Sequence, residues 1–184
     1  MRTRRQFVLH ELGDAGWQRV LGRLSEDDRS HWSLSVLASS WYPAAAVAAL
    51  EDAIVQEMGG QPAEVCTELG AFSAEQNLPS TYQSFFAMGQ SPVAFFQKLI
   101  SLYPSLYDYG RVWLAKTTRN GTEIQHDFEG HATRTNCLTA RSFFERAGSM
   151  AGIQDLRVRE VCCQASGAAV CVLSAEWEPT PESG

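Results

Sequence analysis

Residues Asn136 to Trp177, NCLTARSFFERAGSMAGIQDLRVREVCCQASGAAVCVLSAEW, are the most informative stretch of this sequence. The stretch contains four of the five cysteines, places an acid among them, and ends in an alternating apolar run. Three thiols and a carboxylate, from Cys137, Glu160, Cys163 and Cys171, make a ligand set that a tetrahedral zinc ion accepts. The alternative is that these are buried structural thiols, because free cysteine is among the most buried residue types.

The spacing of these candidates sets a geometric condition on the site. Cys163 and Cys171 are predicted on the two arms of a terminal hairpin, with Cys137 at the start of the preceding helix. Glu160 comes three residues before Cys163, so a regular strand points these two side chains to opposite faces. Both side chains reach one ion only if a bulge or a strand-end turn intervenes. Cys162 is the competing ligand, and the paired C-x2-C knuckles usual for zinc are absent.

Length and composition predict a single domain over residues 1–178, followed by a flexible tail over 179–184. The chain has 184 residues, of which 45% are hydrophobic and 20% charged, as in an ordinary globular protein. Its formal net charge of -6 argues against a nucleic-acid partner. No apolar window is long enough for a membrane span, and no signal peptide is evident. We therefore expect a cytoplasmic protein with reduced cysteines.

The order of elements predicts an α+β fold. After a short strand over residues 6–10, helices are expected over 15–24, 43–58, 63–78, 80–88 and 92–103. Asn120-Gly121 between two strand-like runs, 111–116 and 123–128, is a strong hairpin signal. A helix over 137–147 and a second hairpin, 155–164 with 169–177, complete the chain. Strands that come in neighbouring pairs favour an antiparallel sheet made of two hairpins, with an N-terminal helical layer packed on it.

The cysteine pattern resembles that of a known family. Glu160-x2-Cys163-x3-Gly167-x3-Cys171, preceded by Cys137 at the head of an aromatic-containing helix, is similar to the V4R (4-vinyl reductase) domain. This small-molecule-binding domain occurs in bacteriochlorophyll biosynthesis proteins and in phenol- and toluene-sensing transcription activators. The resemblance implies a structural Zn²⁺ held by Cys137, Glu160, Cys163 and Cys171. It also implies a fold like that of the Bet3-type subunits of vesicle-tethering complexes, often assembled as a homodimer.

A second set of candidates is aromatic and predicts an apolar ligand pocket. Such pockets are mostly apolar with a few placed polar groups. The predicted pocket residues are Phe85, Phe86, Phe96, Tyr103, Tyr109, Trp113, His126 and Phe144. The alternative is that they form the core, and both hold if the pocket lies between the helical layer and the sheet. His126 and His131 face either this pocket or solvent.

These observations predict a non-catalytic sensor or adaptor that binds a small apolar or aromatic molecule. The sequence contains no G-x-S-x-G, P-loop or G-x-G-x-x-G motif. A related fold family uses a helix histidine as an axial heme ligand, but none of the four histidines lies in a strongly helical segment, which disfavours heme. We expect the ligand to order the helix over 137–147 in a homodimer, with a protein partner reading the change. The alternative is a Bet3-like interaction module with a filled core and no exchangeable ligand.

Overall fold

The structure, a computed structural model, describes residues 2–33, 36, 40–81 and 91–178. The helices of these residues are α1 (Arg2–Gly22), α2 (Glu26–Ser30), α3 (Ala44–Met58), α4 (Pro62–Thr81), α5 (Pro92–Ser101), α6 (Tyr103–Leu106) and α7 (Arg134–Met150). The strands are β1 (Arg111–Ala115), β2 (Gly121–Asp127), β3 (Arg157–Cys162) and β4 (Cys171–Glu176). The chain is therefore α+β, with helices first and a small antiparallel sheet towards the end, as the element order predicted.

The start of the chain differs from the prediction, because residues 6–10 are helical and belong to α1. Phe7 and Val8, before the kink, are buried in the same core as Trp17 and Val20, after it. Gly13 is not helical, with φ 66° and ψ -171°, and kinks α1 between its two helical segments. Glycine adopts this backbone conformation without a Cβ penalty, so the helix continues on the other side.

The central helices agree with their sequence signals. α3 begins after Pro43 and ends at Gly59, which takes the left-handed conformation that favours glycine at a helix end. α4 packs closely against α7, and Gly70 of α4 faces the backbone of α7 at this contact. A Cβ built on Gly70 would lie 2.4 Å from the carbonyl oxygen of Thr139. The absence of a side chain at this position thus allows the two helix backbones to approach.

The sheet has the strand order β1-β2-β4-β3, and all neighbouring strands are antiparallel. Both predicted hairpins are present. The connection of the first differs in detail: Gly121 is already the first residue of β2, opposite Glu176 of β4, and Lys116 carries the positive φ of 45°. In the last pair the register shifts between Glu160 and Cys162. A bulge was the condition for Glu160 and Cys163 to reach one ion, but this one leaves the Glu160 carboxylate paired with Arg134.

The buried residues form two large hydrophobic clusters and one small cluster. The first joins α1, α3 and α4 around Trp32, and the second joins α5, α7 and the sheet around Phe96. The third consists of Phe128 and the three cysteines Cys137, Cys163 and Cys171. Three predicted metal ligands belong to this third cluster and Tyr109 packs against it, whereas Phe96 and Phe144 belong to the second cluster.

Two predictions fall on residues that the structure does not describe: the helix over 80–88, beyond its first two residues, and the tail over 179–184. The domain limits of 1–178 stay a prediction. None of the described helices is both long and apolar enough to cross a lipid bilayer.

Candidate functional site

Three of the four predicted metal ligands converge. Cys137 lies in the first turns of α7, Cys163 follows β3, and Cys171 begins β4. The Sγ atom of Cys137 is 2.8 Å from that of Cys163 and 3.1 Å from that of Cys171, and the remaining pair is 3.9 Å apart. All three side chains are buried. The antiparallel pairing of β3 with β4 brings two of these sulfurs together, and the packing of α7 on the sheet supplies the third.

The fourth predicted ligand, Glu160, does not join the sulfurs. Its carboxylate accepts hydrogen bonds from the guanidinium of Arg134 at the start of α7. Cys162, the competing candidate, directs its Sγ to the carbonyl oxygen of Val170, 3.4 Å away. The structure therefore places three thiols, and neither of these two side chains, in the cluster.

The thiol cluster has hydrogen-bond donors around it. The backbone N–H of Gln164 donates to the Sγ of Cys171 over 3.2 Å. Burial raises the pKa of Cys137 and of Cys171. Burial alone would also raise the pKa of Cys163, but hydrogen bonds from Cys137, from the Ala165 N–H and from Arg134 hold this pKa below its ordinary value. Cys163 is thus the sulfur whose thiolate form this environment favours.

An open groove of about 470 Å³ lies next to the cluster. Its walls are largely aromatic. The ring of Tyr42 stacks on Trp32 at 4.8 Å, and the ring of Tyr109 meets His131 edge-on at 4.8 Å. The lining residues are Trp41, Tyr42, Pro43, Ala44, Asp108, Tyr109 and His131. The groove thus combines flat apolar walls with one carboxylate and one imidazole.

Tyr109 connects the groove to the thiol cluster, because its ring also packs against the cluster of Phe128 and the three cysteines. Burial raises the pKa of Tyr109 to about 12, so its hydroxyl is neutral at physiological pH. The ring contacts continue from Tyr109 to Tyr107 at 5.8 Å and from Tyr107 to Tyr103 at 4.7 Å. A molecule in the groove would therefore touch a side chain that also contacts the cysteine cluster.

The other predicted pocket residues lie elsewhere. Phe96 and Phe144 pack with Trp177 in the second core cluster, with Phe96 6.0 Å from the tryptophan ring. Trp113 lies on β1 beneath the guanidinium of Arg111. Phe85 and Phe86 lie outside the described residues. Of the eight predicted pocket residues, Tyr109 lines the groove.

Tyr103 and His126 form a separate buried pair. Their rings meet edge-on at 4.8 Å, and His126 stacks on Phe128 at 3.5 Å. Neither Tyr103 Oη nor His126 Nε2 has a hydrogen-bond partner among the described residues. Burial lowers the pKa of His126 to about 4, so the ring is neutral at pH 7. Two polar atoms are thus enclosed among aromatic rings.

A buried ionic group that the sequence analysis missed joins three helices. Glu51 of α3 is fully buried and accepts hydrogen bonds from Arg4 of α1 at 2.9 and 2.7 Å. Asn136 of α7 donates to its second oxygen at 2.9 Å. The sequence signal for this group was Glu51, an acid within the apolar stretch AAAVAALEDAIV. An acid at such a position more simply indicates a side chain that faces solvent. This group positions the first turn of α7, and with it Cys137.

Comparisons with known proteins identify the fold. No family model matches the sequence, and no curated protein matches it. Among solved structures, an H-NOX protein from S. oneidensis aligns with a TM-score of 0.73 at 14% identity, over 98% of this chain and 95% of that one. An H-NOX protein from K. algicida aligns with a TM-score of 0.70 at 6% identity, over 99% and 96%. An oxygen-binding H-NOX domain related to soluble guanylate cyclases aligns with a TM-score of 0.65 at 14% identity, over 99% and 95%.

The chain therefore has the H-NOX fold. The expectation of a V4R or Bet3-like domain is wrong, because these structural neighbours are H-NOX proteins over nearly their whole length. The expectation of Zn²⁺ as the cofactor is wrong for the same reason: the neighbours are described as heme and Fe(II) proteins. The cysteine spacing is a local pattern that does not depend on how the helices pack, and it therefore did not distinguish the two folds.

The described histidines and cysteines of this chain do not fit the axial position of a heme. Heme iron is commonly held by an axial His or Cys ligand. His10 lies in α1, contrary to the sequence interpretation, but it is exposed and bonded to Glu11, and His31 is exposed as well. His126 is enclosed by the rings of Phe128 and Tyr103. His131 is exposed at the edge of an open groove, and the three buried thiols face one another. Of the described histidines and cysteines, His131 is the one that lines the groove, and it is exposed there.

Proposed function

We propose that this chain is a non-catalytic sensor domain that binds a small aromatic molecule in the groove between Tyr42 and Tyr109. The observation that carries this proposal is the groove itself. Its volume of about 470 Å³ falls within the range of small-molecule sites. Flat rings with a few polar groups are the usual lining of such sites, and Asp108 and His131 supply the polar groups.

The lining defines the chemistry of the ligand. Rings on two sides favour a planar molecule, because offset and edge-on aromatic contacts stabilise a pair of rings by about 0.5–1.5 kcal/mol beyond area burial. The Asp108 carboxylate only accepts hydrogen bonds, so it favours a ligand that carries an O–H or N–H group. A ligand with its own carboxylate would be repelled. The expected class is therefore a neutral phenol or indole.

The response to the ligand would pass through Tyr109. Its ring contacts both the groove and the thiol cluster, and Cys137 of that cluster lies in the first turns of α7. A ligand shifts a conformational equilibrium only to the extent that it binds one state more tightly. A ligand that stacks on Tyr109 stabilises the arrangement in which this ring packs on Phe128 and the start of α7.

Ligand-observed NMR with phenol and indole as probes tests this proposal. We expect phenol and indole to bind, and benzoate to bind with lower affinity. His131→Ala and Asp108→Asn should each weaken indole binding about tenfold, the effect of losing roughly 1.4 kcal/mol. The control is His10→Ala, because His10 is exposed on α1 and pairs with Glu11. If indole binds the two groove variants as tightly as the parent, the groove is not the binding site.

An interaction module is the second candidate function, and one observation favours it. Trp41 at the groove is 62% exposed and Leu106 is 55% exposed, so an aromatic side chain of a protein partner could occupy the same groove. Native mass spectrometry of the purified protein distinguishes the sensor from the interaction module. A retained small molecule supports the sensor, and a retained protein chain supports the interaction module. The same spectrum tests the homodimer expected from the sequence, which stays a prediction.

A further inference from the structure

We propose that Asn120, which precedes Gly121, is a site of spontaneous covalent modification, where the asparagine converts to isoaspartate with help from the hydroxyl of Thr118. The proposal does not depend on the groove or its ligand. It follows from the chemistry of this residue pair, from the contacts at the turn, and from a comparison with the other two asparagines of the chain, Asn77 and Asn136.

An asparagine followed by glycine closes a five-membered ring with its own backbone. The nitrogen of Gly121 forms a bond to Cγ of Asn120, and the side-chain amide nitrogen leaves as ammonia, which carries the proton of the attacking N–H. Water then opens the cyclic imide at either carbonyl carbon, which gives aspartate or isoaspartate. Glycine favours the ring closure because it has no Cβ beside the attacking nitrogen and because its backbone is free to adopt the required conformation.

The turn exposes the asparagine and leaves the attacking N–H outside the ladder between β2 and β4. Asn120 is exposed and lies just before β2, whereas Gly121 is buried, and the ring closes from within the chain. The backbone N–H of Trp177 donates to Asn120 O over 3.0 Å, so Gly121 and Glu176 are a non-hydrogen-bonded pair. In such a pair the N–H groups point away from the partner strand, and β4 therefore does not hold the N–H of Gly121.

Thr118 supplies a hydrogen-bond donor at the atom where charge develops. Its hydroxyl oxygen lies 3.3 Å from Asn120 Oδ1 and 3.2 Å from Gly121 O. Gly121 O already accepts the backbone N–H of Thr118 at 2.8 Å, so the hydroxyl is available to Oδ1. Negative charge develops on Oδ1 when the nitrogen attacks Cγ, and a donor held at that oxygen lowers the barrier.

The other two asparagines lie in helices, which oppose the same reaction. The residue after Asn136 is Cys137, and its N–H donates to Thr133 O at 3.2 Å within α7. The side-chain amide of Asn136 itself donates to Glu51. Asn77 lies within α4. A helix holds each N–H in a bond to the carbonyl four residues before it, so the attacking nitrogen is engaged. Asn77 and Asn136 are therefore internal references in the same molecule.

Isoaspartate at position 120 would disturb the anchoring of Trp177. The isoaspartyl linkage runs through the side chain and lengthens the main chain by one carbon. Asn120 O accepts the backbone N–H of Trp177, and Arg119 O accepts its indole N–H at 3.2 Å. Trp177 is buried in the second core cluster, with its ring 6.0 Å from that of Phe96. The modification therefore weakens the contact between the end of the sheet and this core.

The test follows the full-length chain during incubation at mildly alkaline pH, by peptide mapping and by enzymatic methylation of isoaspartyl carboxylates. We expect Asn120 to react at least about tenfold faster than Asn77 or Asn136. Thr118→Val should slow the reaction by about three- to tenfold, the effect of losing one hydrogen bond, and Thr118→Ser should keep the parent rate. In concentrated urea the parent and Thr118→Val should react equally fast, because unfolding removes the contact.

The effect on Trp177 is measured by urea unfolding of the isolated isoaspartyl form. Its matched control is Asn120→Asp, which carries the same added charge on a main chain of normal length. We expect the isoaspartyl form to unfold at a lower urea concentration than this variant.

Three results would overturn parts of the proposal. Isoaspartate that forms at Asn120 no faster than at Asn77 and Asn136 contradicts the site itself. Equal rates in folded parent and folded Thr118→Val contradict the role of the hydroxyl. An isoaspartyl form as stable as Asn120→Asp contradicts the effect on Trp177. The comparison of the three asparagines decides the site even if Thr118→Val does not fold, because it requires no variant.

Discussion

At the scale of single residues, His126 is a titratable side chain that is enclosed by aromatic rings. Its ring stacks on Phe128 and meets Tyr103, and its Nε2 has no partner among the described residues. A buried polar atom without a partner costs free energy. The neutral ring tolerates this position, whereas a protonated ring would be a buried cation among aromatic edges.

We therefore predict that His126 makes the protein less stable in acid. Burial lowers its pKa in the folded state from 6.5 to about 4, while the unfolded chain keeps the ordinary value. Below pH 6.5 the unfolded state binds more protons, so stability falls as the pH falls from 6.5 towards 4. The expected loss is roughly 2 kcal/mol. Urea unfolding at several pH values measures it.

The matched variant is His126→Phe, which keeps a ring against Phe128 and removes the titrating group. Carboxylates also titrate in this range, so the relevant quantity is the difference between the two unfolding curves. If parent and variant lose the same free energy between pH 6.5 and 4.5, His126 is not the origin of the acid sensitivity.

The fold brings together three of the four metal ligands that the sequence predicted and leaves out the fourth, Glu160. Cys163 and Cys171 meet because β3 pairs with β4, and hairpin pairing is a local property that spacing predicts. Cys137 joins them only through the packing of α7 on the sheet. Glu160 pairs with Arg134, and Arg134 is 26 residues away in sequence. No local pattern indicates such a pair, because it depends on where the start of α7 lies over the sheet.

At the scale of elements, the contact between α4 and α7 depends on one residue without a side chain. A Cβ at Gly70 would lie 2.4 Å from Thr139 O, 2.8 Å from Ser142 Cβ and 3.0 Å from Phe143 N. Thr139 O and Phe143 N are backbone atoms, so they cannot move away unless α7 moves with them. The helices would therefore have to separate.

We predict that Gly70→Ala lowers the free energy of unfolding by about 2–3 kcal/mol, the cost of overpacking a filled interior. Gly22→Ala is the control, because a Cβ at Gly22 has no neighbour within 4 Å and the change should be neutral or stabilising. Both variants are compared by urea unfolding at one pH. Equal stability of Gly70→Ala and the parent would show that α4 and α7 are not in contact at this residue.

The prediction of a strand over residues 6–10, which belong to α1, was wrong for a reason at this same scale. Residues 6–10 are a short apolar run followed by Gly13, and short runs do not distinguish a strand from a buried helix. Phe7 and Val8 share a core cluster with Trp17 and Val20, which lie on the other side of the kink at Gly13. That shared burial depends on tertiary packing, so the local sequence does not show it.

At the scale of the whole molecule, the chain has the H-NOX fold, but its described histidines and cysteines do not fit the axial position of a heme. We predict that the protein, mixed with ferrous heme, gives the absorption spectrum of free heme and no change in melting temperature. The reason is that the three clustered thiols face one another, His126 is enclosed by aromatic rings, and His131 is exposed at an open groove. A histidine-ligated heme protein carried through the same procedure is the positive control. One heme per chain with a ligated spectrum would contradict the prediction.

The sequence by itself determined the α+β class, both hairpins, the helices α3, α4, α5 and α7, and the meeting of Cys163 with Cys171. Periodicity, caps and turns act over a few residues, and the sequence contains them directly. Only the tertiary structure decided which family of folds these elements form, that Arg4, Glu51 and Asn136 meet, and that the groove lies between Tyr42 and Tyr109. These features join residues that are far apart in the chain, and their formation depends on how whole helices pack, which no local pattern specifies.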